Sequence, residues 1–236
     1  MSTVPCDLLT YYAEWWENPR DPRNVVFGQL NRLVRERLPA GVGLSALDLG
    51  SGKGMIVSFL AARGYRVTSI EMNTDFVGAL RARFPGVTVI EGNVKEVLPS
   101  QRFDLVTAIE LSQNLDRVSL IRLLEQLARI TSRLHISISN KNSLHGRWAA
   151  WRGFQMPFVH TYTPAELKEW LGRAGFQVVS AAGIGLVTPI TLWPRFRGKL
   201  IPVWVARFIN AVADRIFPEF CHLYYVEATS VERGIG

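Results

Sequence analysis

The rhythm of hydrophobic and polar positions changes near residue 44. Before it, VVFGQLNRLVRERLPAG carries apolar residues at helical spacing and stops at Pro39 and Gly41. An aromatic stretch with Tyr11, Tyr12, Trp15 and Trp16 precedes it, and together these predict a helical cap over residues 1–40. From Leu44 onward, short runs that are apolar along their whole length alternate with amphipathic segments. SALDLG, YRVTSIE, VTVIEGN, FDLVTAIEL and RLHISISN read as strands, and GMIVSFLAARG, TDFVGALRARFPG and LIRLLEQLARIT as the helices between them. TPAELKEWLGRAGF is then a helix with Thr163 as N-cap, Pro164 at its first position, Glu166 three residues after the cap and Gly175 closing it. QVVSAAG and CHLYYVEATS follow as strands six and seven. Fully apolar strands alternating with helices predict a doubly wound α/β fold, a largely parallel sheet with helices on both faces. The expected layout is a single domain over residues 1–236: the cap, a core over 44–183, a helical insertion over 184–219 and a last strand over 220–229.

Composition narrows the class. Hydrophobic residues make up 48% of the chain and charged residues 20%, with a mean hydropathy of +0.10, which supplies a core and excludes global disorder. No apolar run reaches the roughly 18 residues that a bilayer-spanning helix needs. The first residues show no basic segment followed by an apolar one, so the expected address is cytoplasmic, with membrane-peripheral attachment as the alternative. Two cysteines, Cys6 and Cys221, and four histidines have no metal-ligand spacing, and Glu110, Asn140 and Asn142 make a poor hard-ion set, so no metal is expected. The net charge of +7 favours anionic partners without choosing among phosphate groups, RNA and a membrane surface.

The sharpest chemical signal is ALDLGSGKG at residues 46–54, an apolar strand, an acidic residue, and glycines at 50, 52 and 54 opening a helix. Glycines there let a ligand approach the backbone closely. A dinucleotide fingerprint would place its third glycine at position 55, where Met55 stands, and a P-loop would need glycine at 47 and Ser or Thr at 54, where Leu47 and Gly54 stand. Asp48 also disfavours a pyrophosphate. A ligand with adenosine, positive charge and no phosphate fits better, and S-adenosylmethionine is such a ligand. Glu71, closing strand two, is placed to accept hydrogen bonds from ribose hydroxyls. Asn93 and the Val94 backbone, at the end of strand three, are placed to meet the adenine edge.

With these motifs in order, the chain resembles the class I S-adenosylmethionine-dependent methyltransferases, particularly the small-molecule branch that includes quinone-biosynthesis enzymes. DLGSGKG, SIEMN, EGNV, FDLVTAIELSQNL, RLHISIS and HTYTPAELKEWLGRAGF carry the resemblance, over roughly residues 40–183 and the final strand. It implies a Rossmann-like seven-stranded sheet with strand seven antiparallel, the cofactor at the carboxyl ends of strands one to four, and S-adenosylhomocysteine as product. The cofactor contacts it implies are Asp48, Gly50, Ser51, Gly52, Gly54, Glu71, Met72, Asn93, Val94 and Glu110. Two positions depart from the pattern, Asn93 where Asp is usual and Asn114 where His is frequent.

In-line methyl displacement needs little acid–base help for a nucleophilic acceptor, because alignment supplies most of the rate. For a hydroxyl acceptor, Glu110, His145 and His160 are the candidate bases; His135, inside strand five, reads as a packing residue. KNSLHGRWAAWRGFQMPFVHTY, residues 141–162, is either a packed loop and helix or, as the resemblance implies, part of an acceptor pocket. In the insertion, Val205, Phe208, Ile209, Val212 and Ile216 recur at helical spacing beside arginines. That pattern fits a lid, a homodimer face or an interfacial helix on anionic lipid. The expected activity is methyl transfer to an apolar small-molecule, lipid or lipid-linked acceptor at oxygen, nitrogen or carbon. RNA methylation and a non-catalytic cofactor-binding or membrane-docking role are the alternatives. RNA is disfavoured because no Asp/Asn-Pro-Pro-aromatic run follows strand four, and no specific nucleic-acid partner is expected.

Overall fold

The computed structural model describes residues 23–151, 153, 160–186 and 203–230. The predicted aromatic helix around Tyr11–Trp16 and the loop around Phe154 and Phe158 lie outside them. Helix α1 (Arg23–Arg37) leads into β1 (Ser45–Leu49), α2 (Met55–Ala62), β2 (Arg66–Glu71), α3 (Thr74–Arg83), β3 (Thr88–Glu91), β4 (Leu105–Ala108), α4 (Arg117–Ile130) and β5 (Arg133–Ser139). Then come α5 (Leu144–Trp151), α6 (Pro164–Ala174), β6 (Phe176–Ile184), α7 (Val203–Ile216) and β7 (Leu223–Ser230).

The seven strands form one sheet in the order β3-β2-β1-β4-β5-β7-β6. Strands β1 to β5 pair in parallel, while β7 runs antiparallel to both β5 and β6, so β6 points the same way as β1 to β5. The expected Rossmann-like topology is therefore observed, with the insertion between β6 and β7. The carboxyl ends of six strands share one edge of the sheet, and the order reverses between β1 and β4, where ligands of such sheets bind.

Alternate strand residues feed two cores. Leu47, Leu49, Val106, Ile136, Ile138, Tyr224 and Val226 pack with α4 and α6, burying Leu120, Leu123, Leu124, Leu127, Leu167 and Trp170. Ala46, Val67, Leu105 and Tyr225 face the other way and pack with Val26, Leu30 and Val34 of α1, Ile56, Val57 and Leu60 of α2, and Leu80 of α3. Each large apolar side chain so buried contributes about 1.5–3 kcal/mol. His135 lies on the second face, where its Nδ1 meets the Tyr225 hydroxyl at 2.8 Å; burial pushes the imidazole pKa down to about 4, as suits a packing residue.

Local signals fix the helix ends. Asn73 accepts from the Phe76 amide and Asp116 from the Ser119 amide. Thr163 and Glu166 form the expected capping box, and Gly175 closes α6 in the left-handed region at φ 96°.

Candidate active site

The strand-to-helix turn after β1 has φ of 69° at Gly50, 50° at Gly52 and 80° at Gly54. A Cβ at Gly54 would also lie 2.6 Å from Leu80 Cδ2 and 2.6 Å from Phe84 Cε2, so glycine is required there twice over. A Cβ at Gly50 would approach Leu111 Cδ1 to 3.0 Å, which places the turn directly beside the segment that follows β4.

The turn's amides are already engaged. Gly50 and Ser51 donate to the Ile70 carbonyl, Gly54 donates to the Ser51 carbonyl, and Gly52 donates to Glu71 Oε2 at 2.7 Å. Glu71, buried at the end of β2, also accepts at Oε1 from the Met72 and Asn73 amides. A phosphate cradle needs its N–H groups free and no carboxylate beside them. This turn offers the opposite, so the phosphate-binding readings fall on geometry as they did on spacing.

Two further carboxylates line the same edge. Asp48 is 2% exposed; its Oδ1 accepts from the Thr107 hydroxyl at 2.6 Å, and its buried Oδ2 has no hydrogen-bond partner. Burial raises its pKa to about 6 against the lowering effect of Thr107. The Thr107 bond ties β1 to β4 at this position and leaves Oδ2 open. Glu110 follows β4 in a left-handed conformation, φ 58°, which a non-glycine residue adopts only at a cost. Its amide donates to Ser137 Oγ at 2.8 Å, the Ser137 hydroxyl donates to Glu110 Oε1 at 3.0 Å, and Oε2 is buried without a partner. Burial raises the Glu110 pKa to about 7. Buried carboxylate oxygens with no donor invite a cationic or proton-donating ligand.

The remaining predicted residues sit around this centre. Met72 is exposed and Ser51 buried, its hydroxyl bonded to Ser69 and to the Asp48 carbonyl. Asn93 is half-buried at the mouth of β3, where its Oδ1 accepts from the Lys95 amide, and the Val94 side chain is buried. His160 is exposed, and its amide donates to the Gln113 carbonyl, which brings it to the turn after Glu110. His145, on α5, meets His222 edge-on at 4.9 Å, and burial lowers the pKa of both. Asn114 is exposed. Among the described residues, no cluster of three or more His, Cys, Asp or Glu side chains could hold a metal ion.

Sequence reasoning missed the polar row on β5. His135, Ser137 and Ser139 alternate with Leu134, Ile136 and Ile138, and the serines hold Glu110 and the Gln113 amide oxygen. The period-two serines in RLHISIS were the available signal.

A family model described as a methyltransferase domain matches residues 10–181. The chain belongs to this methyltransferase-domain family. It is 29% identical over 189 residues to the ubiquinone biosynthesis O-methyltransferase of Xanthomonas axonopodis pv. citri, covering 72% of this chain and 78% of that one. It is 38% identical over 89 residues to the ribosomal RNA small subunit methyltransferase A of Myxococcus xanthus, a match spanning only 31% of that protein. Among solved structures, magnesium protoporphyrin IX methyltransferase from Synechocystis, with S-adenosylhomocysteine bound, superposes with a TM-score of 0.60 at 17% identity over 89% of this chain and 83% of that one. A SAM-dependent methyltransferase from Archaeoglobus fulgidus gives 0.60 at 19% identity over 86% and 94%. The fold is that of S-adenosylmethionine-dependent methyltransferases.

Proposed function

We propose that the protein is an enzyme that transfers the methyl group of S-adenosylmethionine to an apolar small-molecule or lipid-like acceptor. The observation that carries this reading is the glycine turn whose amides are spent internally and which is ringed by the carboxylates of Asp48, Glu71 and Glu110. Such a turn rejects phosphates and accepts a ligand that is neutral at its ribose and cationic near its reacting end. Family membership and the folds of its relatives support the same cofactor.

Glu71 would hold the ribose hydroxyls, Asn93 and Val94 the adenine edge, and the glycine turn would admit the adenosyl group without a Cβ in the way. Bound there, S-adenosylmethionine supplies an electrophilic methyl group on a positively charged sulfur. Glu110 stands on the neighbouring strand end with one carboxylate oxygen free of hydrogen bonds, and its pKa near 7 suits a group that takes the proton from an acceptor hydroxyl. Ser137 fixes that carboxyl group by donating to its other oxygen. His160, at the same turn, and His145, in ring contact with His222, are the other candidate bases.

A nearby apolar hollow supports an apolar acceptor. Along the same sheet edge, Leu144, Leu186, Phe217 and Phe220 line an open hollow of about 310 Å³, with no polar side chain among the described residues of its wall. The ubiquinone-pathway relative is named for methylation at oxygen in that pathway, which supports a hydroxylated apolar acceptor. The ribosomal RNA relative matches 36% of this chain, which gives RNA methylation less support. The test is incubation with radiolabelled S-adenosylmethionine and a panel of quinone-like phenols, membrane lipid extract and total RNA. Label in an organic-extractable product supports the reading; label confined to RNA, or none, overturns it.

A further inference from the structure

Beyond the reaction itself, we propose that α7, together with the hollow at its end, is a docking surface for an anionic lipid bilayer. Residues 204, 208, 212 and 216 recur every fourth position and so share one helix face. They are Trp204, Phe208, Val212 and Ile216, exposed by 73%, 76%, 57% and 61%. The opposite face is the docked one. Asn210 there is 1% exposed and bonds Gln29 of α1, and Asp214 takes the Gly185 and Leu186 amides on its two carboxylate oxygens at 2.9 and 2.7 Å, while Val205 and Ile209, at the edge of the stripe, are half-buried. The helix is therefore anchored with its most apolar face turned to solvent. A 14-residue helix is about 21 Å long, enough to lie along a membrane surface and too short to cross it.

The patch continues past the helix. Phe217 and Phe220 join Leu144 of α5 and Leu186 around the apolar hollow, and Leu144 and Trp151 of α5 are themselves exposed by 50% and 74%. The hollow's lining follows the carboxyl ends of β5 and β6 and precedes β7, on the same edge of the sheet as the turn after β1.

Charge selects the occupant. Helices α5 and α7 carry Arg147 and Arg215 exposed, and their single acidic residue, Asp214, is turned inward onto backbone amides. Glu219, beside the hollow, is paired with Lys168 at 3.0 Å. The whole chain carries +7. An apolar stripe with a cationic border attracts anionic headgroups while inserting Trp and Phe among acyl chains. The same charge repels a second copy of the chain.

The test uses the full chain, free of cofactor, with phosphatidylcholine vesicles and with vesicles containing about 30% phosphatidylglycerol. The expected result is co-sedimentation with the anionic vesicles, weaker on neutral ones and reduced by salt. The double variant Trp204→Ser, Phe208→Ser is expected to lower binding roughly tenfold or more, because two exposed apolar side chains no longer insert. Its thermal shift with S-adenosylhomocysteine is expected to match that of the parent. Failure of the parent to bind anionic vesicles, or equal binding by the variant, overturns the proposal. So does a parent that is dimeric in solution and absent from vesicles, with a monomeric variant, which would assign the face to a second copy. Because vesicle binding is read without cofactor or acceptor, it can fail while methyl transfer stands, and the reverse.

Discussion

Replacing Glu110 with Gln separates the site's cost to folding from its use. In the unfolded chain a glutamate titrates near its ordinary value of 4.5, whereas burial holds Glu110 near 7 in the folded protein. A folded pKa above the unfolded one means the native state keeps its proton longer, so stability falls as pH rises from about 4.5 to about 7 and stays lowered above that. At about 1.4 kcal/mol per tenfold, the gap amounts to about 3 kcal/mol of destabilisation carried at pH 8 and absent at pH 4. Glutamine keeps the acceptor for Ser137 and the shape of the side chain without the buried charge. Glu110→Gln should therefore raise stability by about 2–3 kcal/mol at pH 8, change it by less than about 0.5 kcal/mol at pH 4.5, and remove turnover of a hydroxyl acceptor. Urea denaturation of both proteins across that range measures the first two, and labelled-methyl transfer the third. An effect of equal size at both pH values, or destabilisation at pH 8, would refute the reasoning that the ionised carboxylate is the burdened form.

For a hydroxyl acceptor, turnover should rise with pH through about 7 and level off, since the base works only when ionised; a pH profile of kcat/KM checks this, and a bell centred well below 7 speaks against Glu110. Gly54→Ala places a Cβ 2.6 Å from Leu80 and Phe84 at φ 80°, and should cost about 2 kcal/mol or more and abolish S-adenosylhomocysteine binding, read by denaturation and calorimetry. Asp214→Ala strips the acceptor from the Gly185 and Leu186 amides and should destabilise by about 2 kcal/mol, with faster hydrogen exchange in α7 than in the sheet. Thr107→Val removes the hydroxyl that donates to Asp48 Oδ1 and should raise the Asp48 pKa further, so that the variant loses more stability at pH 8 than at pH 5.

The sheet was legible because its central strands are buried on both faces and therefore apolar along their whole length, as Leu47 and Ala46 show by feeding opposite cores. The α6 boundaries were legible because capping chemistry is local: Thr163, Glu166 and Gly175 lie within one helix. The glycine turn, Glu71 and Glu110 stand out in the sequence because motif spacing and strand ends mark them. Their electrostatic state was hidden, since Ser137 and Thr107 are partners from other strands and look like ordinary strand residues in the sequence. The left-handed backbone at Glu110 had no sequence mark, glutamate being unusual there. Nor could helical spacing divide the insertion's apolar residues. Val205 and Ile209 are half-buried at the edge of the stripe while Phe208, Val212 and Ile216 are exposed, a division set by the Asp214 and Asn210 anchors across a long stretch of chain. Asp48 stands out at its strand end, but its bond from Thr107 on the adjoining strand has no mark in the sequence.

The most direct measurement of the central claim is thermal unfolding with S-adenosylhomocysteine, S-adenosylmethionine, NADH and ATP, each well above its expected dissociation constant. A ligand at about 100 times its dissociation constant adds about 2.7 kcal/mol, which for a chain of this size raises the midpoint by about 5–10 °C. The account predicts that shift with the two adenosyl sulfur compounds and none with NADH or ATP. A shift with ATP or NADH, or with none of the four, would contradict it.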